Sequence, residues 1–140
     1  MGEEIYMQQA QDSRFNAQDG DSRLKTDVKR ESYLFALEII KYIDSLPKEY
    51  VCGTIGKQLL RSATSIGANI VEAKSSSSRR DFINFYNHSL KSANETKYWL
   101  ELLRDSGKSG ALKVDHLLES VISISNILAR SILTMKDKRF

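Results

Sequence analysis

Two histidines, His88 and His116, each follow an arginine on a segment of helical periodicity, Arg80 and Arg104. An arginine that grips phosphate and a histidine acting as general acid–base would together cleave RNA, if both reached one substrate. Helical ribonucleases place a short polar spacer between the two. Here seven residues separate Arg80 from His88 and eleven separate Arg104 from His116, which does not give a shared in-helix site. Cys52 is the only cysteine, so one chain builds neither a disulfide nor a thiolate zinc site. Neither histidine has an acidic residue four positions away. Gly107-Lys108-Ser109 is a fragment of a phosphate loop without the strand that would precede it. The expectation is a protein that is not an enzyme and uses no cofactor or metal.

A denser signal is cationic. Residues 54–80 hold Lys57, Arg61, Lys74, Arg79 and Arg80 against Glu72 alone. Lys57 and Arg61 stand one helical turn apart, so their fields add. Lys57, Lys74, Arg79 and Arg80 are the candidates for a solvated basic surface that meets nucleic-acid phosphates. Arg61, Asn69, Glu72 and Glu95 read instead as a structural polar network. Arg61 would pair with Glu72 or Glu95, and Asn69 would bond a neighbouring helix, because polar groups in a packed bundle need partners. Damage to folding or assembly is therefore expected on changing Arg61.

The elements that must position these groups are helices. A single proline and seven glycines in 140 residues argue against a turn-rich β fold, and the apolar spacing is 3–4 throughout. The spacing predicts helices over about 27–46, 54–74, 79–105 and 112–135. Asp27 is placed to cap the first, whose stripe is Leu34, Leu37, Ile40, Ile43 and Leu46, and Pro47 stops it. Thr54 is the expected N-cap of the second. Ser78, three residues before Asp81, opens the third, and Gly107 fits a left-handed C-terminal cap after it. Short connections imply an all-α, up-down-up-down antiparallel four-helix bundle spanning residues 27–140.

The second helix has an unusually wide apolar arc, with Ile55, Leu59, Leu60, Ala63, Ile66, Ile70 and Val71. That arc covers about 160°, where a surface helix hides roughly 100°. Such a helix needs two sets of neighbours, or one set and another subunit. Gly67 within it implies a close approach by another backbone.

Arg61 to Glu72, reading RSATSIGANIVE, resembles the signature helix of the bacterial four-helix-bundle family of 23S rRNA intervening-sequence proteins and retroelement accessory variability proteins. That pattern is approximately Q-L-x-R-A-x-x-S-I-P-A-N-I-A-E-G. Gln58, Leu59, Arg61, Ser65, Ile66, Ala68, Asn69, Ile70 and Glu72 match it, while Gly67 replaces its proline and Ala73 its glycine. Phe82, Phe85, Ser92 and Glu95 match the third helix. The resemblance implies a ring-shaped homo-oligomer, a pentamer by preference. It also implies an accessory role toward RNA or an RNA–DNA hybrid, alongside a reverse transcriptase. The rival from another class is a protein–protein scaffold with no nucleic acid.

Residues 1–26 lack periodicity and carry Glu3, Glu4, Asp12, Asp19 and Asp21 against Arg14, Arg23 and Lys25, whereas the whole chain is +3. This segment reads as a polar tail, or as a strap docking Ile5, Tyr6, Met7 and Phe15. The Met-Gly-Glu-Glu start is unlike a signal peptide, and serines interrupt the most apolar run, Val121 to Ala129. The expected location is cytoplasmic, with no membrane partner.

Overall fold

A computed structural model describes residues 27–137, and within them the chain forms four helices. These are α1 (Val28–Asp44), α2 (Tyr50–Lys74), α3 (Arg79–Asp105) and α4 (Ala111–Asp137). The segment 1–26, expected as a tail or strap, lies outside the described residues.

Local capping chemistry sets several of the boundaries. Asp27 accepts from the Arg30 N–H at 3.2 Å, and Ser78 accepts from the Asp81 N–H at 3.1 Å. Each satisfies one of the unpaired donors of a first turn. Gly107 takes φ +74°, the left-handed conformation that ends α3. The first helix stops at Asp44, earlier than the proline implies. There the Ser45 N–H reaches back to the Lys41 and Tyr42 carbonyls, and its hydroxyl donates to Tyr42 O at 2.6 Å.

Thr54 is not the N-cap of α2. The helix begins four residues earlier, after Glu49, whose side chain makes no capping bond. Tertiary ties hold this start instead. Cys52 is buried in the core, and Glu49 is gripped by Lys108 at 2.8 Å from the α3–α4 connection. That contact holds the Lys108 ammonium pKa above its ordinary value.

Each helix packs on its neighbours in sequence, and α1 closes the bundle against α4. Successive helices run in opposite directions. On α2 and α3, Ser62 meets Thr96 while Ile66 meets Ser89. On α3 and α4, Arg104 meets Asp115 while Arg79 meets Met135. Ile43 lies over Gly56 and Ser32 over Gly67, which fixes α1 antiparallel to α2.

The core is built from Ile39, Leu59, Ile66, Leu100, Leu117 and Leu128 with their neighbours, all nearly sealed from solvent. α4 is long and apolar enough to cross a membrane, and its stripe of Val114, Leu117, Val121, Ile124 and Leu128 is buried in this core. The α2–α3 seam is small and hydroxylic. Ser89 donates to Ile66 O at 2.8 Å, and the Thr96 and Ser62 hydroxyls pair at 2.9 Å. Short side chains let these two backbones approach, and their hydroxyls are satisfied without water.

The register of α1 corrects the expected stripe. Ser32, Phe35, Ile39 and Tyr42 face the core. Leu34 and Leu37 are half-buried, and Ile40 is 42% exposed. A serine can face inward because α1 crosses α2 at Gly67, where a Cβ would lie 3.6 Å from Ser32 Cβ. The buried end of Tyr42 carries a hydroxyl that meets Ser109 of the α3–α4 connection. Burial raises its pKa, with Ser109 opposing.

The hydrogen bond of a buried hydroxyl largely offsets its desolvation, for a net of about 1 kcal/mol. Tyr42→Phe is therefore expected to move stability by no more than about 1 kcal/mol, read from the denaturant midpoint. The sign of the pH effect follows from the raised pKa. Stability from neutral Tyr42 is complete below the unfolded value near 10 and falls as pH rises through the folded one. The phenylalanine variant should soften that alkaline decline.

Candidate nucleic-acid interface

The four candidate cations occupy two separate places. Lys57 sits near the start of α2, and Lys74 ends it, about 25 Å away at the helical rise. Arg79 and Arg80 open α3 close to Lys74. Nearness in sequence therefore gives one cluster at the α2–α3 connection and one lysine apart from it, so the four do not form a single patch. Lys57, Lys74 and Arg80 are exposed and make no ion pair among the described residues. Arg79 departs from the solvated surface expected of it. It is half-buried and donates to the Met135 carbonyl, where a cation suits the C-terminal end of α4.

The polar network is smaller than the sequence suggests. Arg61 pairs with Glu95 across the α2–α3 seam and donates to Gln58 Oε1 at 3.0 Å. Glu95 also accepts from Trp99 Nε1 at 2.9 Å, so the indole orients the carboxylate. Glu72 is exposed and joins no part of this network. Asn69 donates to Ser65 O at 2.8 Å within its own helix, which corrects the expected bond to a neighbour. With side chains 55% and 37% exposed, the Arg61–Glu95 pair is screened by water. Pairs of that kind contribute at most about 1 kcal/mol. Loss of folding on changing Arg61 is no longer the expectation.

The Arg–His pairs do not converge. His116 Nε2 faces Glu38 of α1 at 3.5 Å, while Arg104 is held by Asp105 and Asp115, each at 2.9 Å. His88 is exposed. Among the described residues, no His, Cys, Asp and Glu side chains gather as a metal site.

One feature escaped the sequence reading. A groove of about 440 Å³ opens between the α1–α2 connection and the first turns of α2. Ile43, Leu46 and Pro47 form its apolar side, and Lys48 and Lys57 stand among its lining residues. Only the earlier start of α2 brings Gly53 into a helix facing this space. A Cβ there would meet nothing within 4 Å.

The family model for the 23S rRNA-intervening sequence protein matches residues 25–130. The chain belongs to that family. The match covers all of α1, α2 and α3 and most of α4, so the 23S rRNA-intervening sequence fold is this bundle. It is similar to a crystal structure from Bacteroides thetaiotaomicron, a protein of unknown function from the S23 ribosomal protein family. The TM-score is 0.70 at 42% identity, over 75% of this chain and 97% of that one. No curated protein matches.

Proposed function

We propose that this member of the 23S rRNA-intervening sequence family is a non-enzymatic, homo-oligomeric protein that holds nucleic acid through phosphate contacts. The observation that carries the reading is the exposure of Lys57, Lys74 and Arg80 with no anion spent on them among the described residues. Backbone contacts of this kind are sequence-tolerant, which suits structured RNA or an RNA–DNA hybrid. An accessory role beside a reverse transcriptase is the matching biological setting.

Self-association is part of the proposal. Ile40 and Val71 remain 42% and 49% exposed on α1 and α2, an apolar face the bundle does not cover. A closed ring, a pentamer by preference, would bury that face and repeat the two cationic places around its axis. Light scattering after size exclusion reads the mass. A monomer at micromolar concentration overturns the assembly. The scaffold alternative draws on Ile122 and Leu133 of α4, 43% and 61% exposed, as a surface for a protein partner.

A salt titration separates the two readings. Each neutralised phosphate contributes about 0.7–0.9 to the slope of log affinity against log salt. Changing Lys57, Lys74 and Arg80 together to serine should flatten that slope by about 2, with the oligomer mass unchanged. Absence of RNA or DNA binding by the unaltered protein at low salt would leave the scaffold standing.

A further inference from the structure

We propose that the groove at the α1–α2 connection receives one unpaired nucleotide, which rests on the nucleic-acid reading above and makes it selective for single-stranded segments. Its apolar side, Ile43, Leu46 and Pro47, suits the flat face of a base. Its volume, about 440 Å³, lies in the range of small-ligand sites. Lys48 and Lys57 line the same groove and complement the phosphate that a base in it would carry.

The acids of the groove fit the same occupant. Glu49 is already neutralised by Lys108 at 2.8 Å. Asp44 is exposed and makes no ion pair among the described residues, so it is available to accept from an exocyclic amino group. Adenine and cytosine carry that group and uracil does not. Tyr50, three residues before Gly53, is 87% exposed in the first turn of α2.

Gly53 is the observation that turns the groove from a gap into a site. The other two glycines of α2 are explained by α1, because Ile43 and Ser32 lie against them. Gly53 has no such neighbour, and the helix would be better formed with any ordinary residue there. Gly53 lines the groove, and a side chain there would extend into open space beside it.

That space can be filled without disturbing the bundle. The experiment measures fluorescence anisotropy of a labelled oligoadenylate dodecamer, single-stranded and as a duplex, on the full chain. Gly53→Leu should weaken single-strand binding by about tenfold, the order of one lost base stack, and leave duplex binding within about twofold. Its melting temperature should not fall. Lys48→Ser, on the exposed connection, should weaken the single strand in the same direction. Oligouridylate should bind more weakly than oligoadenylate.

Unchanged single-strand affinity in both variants overturns the groove, as does an equal loss on the duplex. A change in oligomer mass with Gly53→Leu also overturns it, and makes the groove an interface between copies. If Gly53→Leu binds normally while the Lys57, Lys74 and Arg80 variant does not, the nucleotide site fails and the proposed function stands. If the unaltered protein binds neither probe, both fail.

Discussion

Ile39→Ala should cost the bundle about 2–5 kcal/mol, and Ile40→Ala less than about 1 kcal/mol. The two residues are chemically identical and adjacent, so the contrast isolates the register of α1. Ile39 is fully buried, and truncating it removes apolar contacts and leaves a cavity in the core. Ile40 is 42% exposed and loses little that water does not replace. Denaturant unfolding of both variants measures the difference. Equal losses would mean that α1 is turned by one residue from the arrangement described. A loss at Ile40 that depends on protein concentration would place that side chain in the subunit interface.

Gly67 gives the second large effect, with opposite signs for two substitutions. A glycine inside a helix costs about 1 kcal/mol relative to alanine. A Cβ at this position would sit 3.6 Å from Ser32 Cβ, an ordinary contact. Gly67→Ala should therefore stabilise the bundle by about 1 kcal/mol. Gly67→Leu drives further carbons into α1, whose backbone lies 4.0 Å from that Cβ, and should cost about 1–3 kcal/mol. Thermal melts of the pair test this. Two variants that shift the midpoint in the same direction would show that α1 does not limit the side chain here. The expected tolerance at this helix crossing is therefore one methyl group.

What was legible in the sequence was chemistry that acts over one helical turn. Asp27 and Ser78 cap because a short oxygen-bearing side chain reaches its own backbone, and Gly107 turns left because it has no Cβ. The start of α2 escaped because nothing local marks it. Glu49 caps nothing with its side chain, and the tie that holds it comes from Lys108, 59 residues away. The face of α1 escaped for a related reason. Leu34, Leu37 and Ile40 outrank Ser32 and Tyr42 as core residues on hydropathy, yet a serine fits where α2 supplies a glycine.

The candidate interface was legible as residue types and illegible as a surface. Lys57 and Lys74 belong to one segment of sequence, but a helix holds its ends apart. Arg79 reads as a solvent cation until α4 brings a carbonyl to it. The groove depends on an element boundary that local signals misplace, so Gly53 gave no sign of its surroundings.

The neighbour-to-neighbour order of the bundle also bears on how fast it forms. Contacts between α1 and α2, α2 and α3, and α3 and α4 each close a short connection, and only the α1–α4 contact waits for the whole chain. Chains rich in such local contacts have low contact order and fold in microseconds to milliseconds. The α2–α3 hairpin carries the Ser62–Thr96 hydroxyl pair, the bond from Ser89 to the Ile66 carbonyl and the Arg61–Glu95 bridge, all formed within itself. It is the expected nucleus, and φ-values near zero in α1 and α4 would mark those helices as condensing on it later.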